Sequence, residues 1–144
     1  MYFSTTDYVR WADVDLVGIM RYDAYLRLAD VAETDFFRAL GVPIGALARR
    51  LGVWLPRKVV RMEYFAPSRL DDELRLGVAV SRLGRTSLTL AIEVTSPRDD
   101  ARLATIEMVL VRVTTQELEM RELPAELVEM VRPYVRETHN FGSV

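Results

Sequence analysis

The stretch Arg10-Trp-Ala-Asp-Val-Asp-Leu-Val-Gly-Ile-Met-Arg-Tyr-Asp-Ala-Tyr25 decides how this chain is read. Two aspartates stand one residue apart, a glycine and an apolar pair follow, and only then does helical periodicity begin. From Asp23 onward, Tyr25, Leu28, Ala29, Ala32, Phe36 and Leu40 recur at helical spacing and form one apolar stripe. Arg27, Asp30, Thr34 and Arg38 fall on the opposite side. Asp23 is the expected N-cap and Gly41 the expected C-terminal stop.

The first turn of a helix leaves backbone N–H groups without partners and carries partial positive charge. Such donors polarise a carbonyl and hold the oxyanion that forms from it. An aspartate across that carbonyl can attack it or take a proton from a water that does. Asp13-Val-Asp15-Leu-Val-Gly18 followed by Tyr22-Asp23 supplies both halves, and Gly18 permits a tight loop or close approach of a ligand. One aspartate of the pair fixes the loop and the other is free to face a substrate. The bland alternative is a turn that uses an aspartate for local hydrogen bonds. Two carboxylates without a third ligand make a poor magnesium site, so no metal is assigned.

Working outward, residues 2–11 read as a strand, rich in aromatic and β-branched side chains. A loop over residues 12–18 and a brief extended piece over 19–21 lead into the helix. Residues 42–52 suggest a short second helix. Four β segments follow: residues 53–65, then Leu74, Leu76, Val78 and Val80 in alternation, then Leu88, Leu90, Ile92 and Val94, then 103–113. A last helix carries Pro124 at its first position. Strand, long helix, then a run of antiparallel strands is an α+β order in which one sheet covers one helix. Because one helix cannot cover both faces of such a sheet, the apolar face and edge left over predict a homo-oligomer.

Composition limits the chemistry. The 144 residues are 50% apolar and 28% charged, values of a globular domain, with a net charge of −2 that gives no general attraction to nucleic acid. No run approaches the length of a membrane span and the N-terminus has no signal-peptide pattern, so the expected location is the cytoplasm. The chain has no cysteine and a single histidine, His139, in the terminal run. Residues 1–144 are read as one domain, with a flexible tail expected from about residue 137. Thiolate, serine–histidine and histidine–zinc chemistry all lack their residues. Carboxylates, backbone amides, hydroxyls and arginines must do the work of any active site.

The run from Trp11 to Gly41 resembles the opening of the hotdog-fold acyl-CoA thioesterases, of the 4-hydroxybenzoyl-CoA and Tol–Pal-cluster type. Val60-Arg-Met-Glu-Tyr-Phe-Ala-Pro67, Asp72-Glu-Leu and Gly84-Arg-Thr-Ser-Leu88 fall in the order of similar family segments. The resemblance implies a five-stranded antiparallel sheet wrapped around the long helix, assembled as a dimer or tetramer, with no cofactor. It implies Asp15 as the catalytic carboxylate, Asp13 as a structural one, and the backbone N–H of Tyr22 or its neighbour Asp23 as the carbonyl's partner. Arg85 matches a region that meets the phosphates or pantetheine of coenzyme A, and Arg82 fits the same need.

Three positions depart from the pattern: Tyr22 where Tol–Pal-type members carry His, Ala24 where Asn is common, and Glu33 where Arg is common. The hydroxybenzoyl type carries Tyr at the first of these. Glu33, flanking the apolar stripe, reads as a solvated or paired boundary residue. Trp54 and Tyr64 read as core or interface aromatics, and Tyr25 as packing. The expected activity is hydrolysis of an acyl-CoA thioester. The alternatives are an acyl-CoA-binding module without turnover and a hydrolase acting on acyl carrier protein thioesters.

Overall fold

The apolar stripe folds as α1 (Tyr25–Ala39), whose buried face is Tyr25, Leu28, Ala29, Ala32, Glu33, Phe36 and Phe37. The computed structural model describes residues 1–136. Gly41 ends the helix at φ +84°, a conformation only glycine adopts without strain. A 3₁₀ turn at Tyr22–Ala24 precedes α1, so Asp23 lies inside the turn and does not cap the helix; its carboxylate instead accepts from Arg21 at 2.8 Å.

Around α1 stand β1 (Phe3–Tyr8), α2 (Ile44–Leu51), β2 (Arg57–Tyr64), β3 (Glu73–Leu83), β4 (Ser87–Thr95), β5 (Arg102–Val111) and α3 (Ala125–Val131). Pro124 stands just before α3 rather than at its first position. The strands form one antiparallel sheet in the order β1-β3-β4-β5-β2, the hotdog architecture expected from the resemblance. The first and second β segments are shorter than their composition suggests. Trp11 turns off β1 into a 3₁₀ turn, and Trp54 makes only an isolated bridge to Val113 because Pro56, lacking an N–H, interrupts the ladder before β2.

The inner face of the sheet carries Leu74, Leu76, Val78 and Val80 of β3, Leu88, Leu90, Ile92 and Val94 of β4, and Ile106, Met108 and Leu110 of β5, all buried against α1. The other face is not the apolar surface expected. In register across it lie Gly77, Glu93 and Thr105, then Ala79, Ala91 and Glu107. These side chains are small or polar. The unpaired apolar surface collects instead at edge strand β2 and at the opening loop, where Trp11, Leu16, Val17, Tyr22 and Tyr64 are exposed. Among the described residues no helix is long and apolar enough to cross a membrane. The tail from about residue 137 and His139 lie outside the described residues.

Phe36 is fully buried and meets Phe3, Phe37 and Tyr134 with ring centroids at 5.5, 5.6 and 5.1 Å. Replacing it with alanine removes the joint between α1, β1 and the C-terminal segment. Phe36→Ala should lower the unfolding free energy by about 3–5 kcal/mol in a urea titration.

Candidate active site

The opening loop is a small hairpin built on its own backbone. Arg21 N–H donates to Asp13 O at 2.7 Å, Val14 bridges Met20, and Asp15 N–H donates to Ile19 O at 2.9 Å. Gly18, at φ +83°, closes the tip, and its N–H donates to Asp15 O at 3.0 Å. Met20 N–H donates to Ser68 O, pinning the hairpin to the segment before β3. Leaving the hairpin at Arg21, the chain enters the 3₁₀ turn and α1 at once. The hairpin therefore sets Asp15 across from Ile19, three residues before the start of the 3₁₀ turn.

The two aspartates divide their tasks as their burial dictates. Asp13 is 4% exposed, and its Oδ2 accepts from Arg10 N–H at 2.8 Å. Arg27 reaches it from the first turn of α1, donating from Nε to Oδ1 at 2.9 Å and pairing Nη2 with Oδ2. Asp15 is exposed. Its Oδ1 accepts from the N–H groups of Val17 at 2.9 Å and Ile19 at 3.3 Å, while Oδ2 accepts nothing among the described residues. One oxygen is anchored and the other is available. Opposite, the first N–H groups of the 3₁₀ turn, those of Tyr22 and Asp23, have no acceptor within the turn. Tyr64 fixes this end by donating its hydroxyl to Tyr22 O at 2.9 Å. Burial, then the charge of Asp23, holds the Tyr64 pKa above its ordinary value, so it stays a donor.

Arg27 and Asp7 were missed on the sequence. Arg27 lies on the side of α1 read as polar, yet its guanidinium is drawn between Asp13, Asp7 and the carbonyl of Tyr8. The available signal was in β1, where Phe3, Thr5 and Asp7 alternate inward; a carboxylate at an inward position needs a cation. Glu33 is likewise more deeply placed than a boundary residue, 2% exposed and paired with Arg57. Trp54 and Tyr64 are not core aromatics, being 45% and 47% exposed.

Arg82 and Arg85 are not brought to this site within one chain. Tyr8 pairs with Glu73 at one end of β3, whereas Arg82 lies near the other, about 30 Å away along the strand. Arg85 pairs there with Glu122 at 2.7 Å. A cavity of about 420 Å³ lies on the Asp15 side between the β2–β3 and β4–β5 connections, but Asp71, Asp72, Glu73 and Asp99 line it against one arginine, Arg98. That balance of charge disfavours phosphate. No three histidine or carboxylate side chains gather as metal ligands among the described residues.

Residues 9–131 match the profile of the thioesterase-like superfamily. The acyl-CoA thioester hydrolase YbgC of Escherichia coli O6:H1 is 27% identical over 120 residues, covering 83% of this chain and 88% of that protein. In solved structures the fold recurs in Slr0204, a 1,4-dihydroxy-2-naphthoyl-CoA thioesterase from Synechocystis, with a TM-score of 0.83 at 17% identity over 92% of this chain and 96% of that one. The dynemicin thioesterase gives 0.85 at 18% identity over 94% and 99%. A substituted 4-hydroxybenzoyl-CoA thioesterase bound to 4-hydroxybenzoyl-CoA gives 0.80 at 20% identity over 90% and 98%.

The Arg27 clamp makes a testable demand. Burial pushes the carboxyls of Asp7 and Asp13 up, but hydrogen bonds from Arg27 and backbone N–H groups, with the charge of Arg27, outweigh it and hold both below the ordinary range. Depressed carboxyls stabilise the fold fully above the unfolded value of about 3.9, and that stability is lost as pH falls through the folded-state values. Arg27→Met should cost about 3–5 kcal/mol at pH 7, since it strands the buried carboxylate of Asp13 and leaves Asp7 only the exposed Arg10. In urea titrations the gap from wild type should narrow as pH falls to about 4, where those carboxylates protonate.

Proposed function

The chain belongs to the thioesterase-like superfamily, and from that premise we propose that it hydrolyses acyl thioesters of coenzyme A with Asp15 as the reacting carboxylate. The observation that carries the reading is the hairpin. It anchors Oδ1 of Asp15 on the N–H groups of Val17 and Ile19, leaves Oδ2 available, and ends at the free N–H groups of Tyr22 and Asp23. A thioester carbonyl set on those N–H groups is polarised, and charge growing on its oxygen meets donors already in place. Asp15 then attacks the carbonyl carbon, forming an anhydride that water cleaves, or removes a proton from the attacking water. Either route releases the acid and a thiol, which leaves as thiolate far more readily than an alcohol leaves as alkoxide and so needs no imidazole acid.

The proposed enzyme is at least a dimer. The outer edge of β2 is unpaired, and Val59, Val60, Tyr64 and Phe65 are exposed along it. A second copy pairing antiparallel along this edge makes a continuous ten-stranded sheet. In that arrangement the β3–β4 turn of one copy shares an end of the sheet with the Asp15 loop of the other. Arg82 and Arg85 would then meet the phosphates of a coenzyme A bound at the other copy's Asp15, the role a single chain denies them.

A second reading keeps the ligand and drops the chemistry. It is favoured by the same Asp15 hydrogen bonds, since a carboxylate bonded to its own turn also suffices to shape a loop for binding. Thiol release from acyl-CoAs separates the two, and the absence of cysteine means that a thiol reagent sees only product. Asp15→Asn should lower kcat/KM by about 100-fold, or about 2.7 kcal/mol of transition-state stabilisation, with the melting temperature little changed. Binding of acyl-CoA without turnover would favour the non-catalytic module. Turnover confined to carrier-protein thioesters, indifferent to loss of Arg82 and Arg85, would favour the carrier-protein hydrolase.

A further inference from the structure

Two contacts set β2 alongside α1 in opposite directions. Tyr64, at the end of β2, donates to Tyr22 at the start of the helix, and Arg57, at the start of β2, pairs with Glu33 farther down it. The sheet register shows which β2 residues face the helix. Arg57, Val60, Met62 and Tyr64 lie opposite Leu110, Met108, Ile106 and Ala104 of β5, all core residues. Arg57 and Val60 share that face although they stand three positions apart, because the bulge between Arg57 and Val59 shifts the register and turns Arg57 toward the helix. Between the two contacts β2 offers Val60 and Met62, and α1 offers Leu26, which is 48% exposed. These three apolar side chains stand between the helix start at Tyr22 and Asp23 and the Glu33 end.

At the Glu33 end lies a cavity of about 130 Å³ lined by Ile44, Leu47, Val53 and Trp54 together with Glu33, Arg57 and the exposed Asp30. Glu33 is 2% exposed, yet only its Oε2 is paired; Oε1 accepts nothing among the described residues. Arg57 also donates to Leu55 O at 3.3 Å and keeps further N–H donors unused. An apolar slot does not need a carboxylate at its end, and burying Glu33 is costly even with the partly exposed Arg57 beside it. The pair is intelligible if something in the slot hydrogen-bonds to it.

We propose that Glu33 and Arg57 read the far end of the acyl chain, so that the preferred ester is a long acyl-CoA carrying a hydroxyl at its distal carbon. This rests on the reading of the Asp15 site given above. The hydroxyl donates to Glu33 Oε1 and accepts from Arg57, which matches a neutral donor–acceptor to a pair whose charges cancel. A distal carboxylate is disfavoured by Glu33 and Asp30, and a distal methyl leaves both polar groups unmet. Length enters through the helix: Glu33 lies about 12 Å beyond Tyr25 along α1, at about 1.5 Å per residue, so short acyl groups do not reach it.

Calorimetric titration with S-alkyl coenzyme A thioethers, which cannot be hydrolysed, tests this separately from catalysis. The ω-hydroxydodecyl thioether should bind at least about tenfold more tightly than the dodecyl one. In the double variant Glu33→Met with Arg57→Met the preference should vanish while the plain dodecyl thioether binds as well or better. The butyl thioether should bind wild type and variant alike. Ile44→Trp, which fills the slot from its partly exposed side, should weaken both dodecyl ligands, sparing butyl, and decides the matter if the double variant does not fold. Equal binding of the two dodecyl ligands by wild type, or a hydroxyl preference that survives the double substitution, overturns the proposal. Butyryl-CoA hydrolysis, measured in parallel, reports only on the Asp15 reading: predicted binding without turnover would overturn that reading and leave this one standing.

Discussion

The opening loop depends on one guanidinium. Arg27 projects from the first turn of α1 into the space between Asp7 at the end of β1 and Asp13 in the hairpin, and it also donates to the carbonyl of Tyr8. Without it, two carboxylates at 8% and 4% exposure would keep no cation but the exposed Arg10, which pairs with Asp7 at 3.1 Å. With it, strand, loop and helix are tied at one point. Asp13 then orders the hairpin through Arg10 and Arg21, and the hairpin presents Asp15 at the helix start. Asp15, the carboxylate proposed to react, is exposed and bonded only to its own turn. The residues that place it are buried and expensive.

The second constraint is the imbalance between one helix and five strands. The central strands β3, β4 and β5 cover α1 on their inner face and show small or polar residues on the other. The surplus falls on β2, whose inner face reaches past the helix. There it is tied to the helix at two points, by Tyr64 to Tyr22 and by Arg57 to Glu33. The edge of the same strand is the surface most open to a second copy. One strand thus carries both proposals, the one on substrate length and the one on assembly.

Much of this was legible in the sequence, because it rests on local regularities. The stripe from Tyr25 to Phe36 and the alternations in β3 and β4 are signals of period and they fold as read. Gly41 ends α1 because a positive φ has no cheaper occupant. The structural role of Asp13 against an available Asp15 was also foreseen. What failed depends on contacts distant in sequence. Asp23 looked like an N-cap, but a 3₁₀ turn that begins one residue earlier absorbs it. Arg27 looked solvated, since nothing in its helix shows that Asp7, on a strand twenty residues away, faces inward. The inward turn of Arg57 needs a β-bulge, which periodicity cannot reveal. Arg82 and Arg85 matched a family segment, but no linear pattern says which end of a sheet, or which copy, a turn will serve.

The central claim is geometric: a thioester carbonyl is held by the amides of Tyr22 and Asp23, with Asp15 across it. A crystal structure of the Asp15→Asn variant with an acyl-CoA bound tests it most directly. The account predicts the thioester oxygen about 3 Å from one or both of those N–H groups, with residue 15 facing the carbonyl carbon. A thioester lying elsewhere, with the helix start empty, would contradict it.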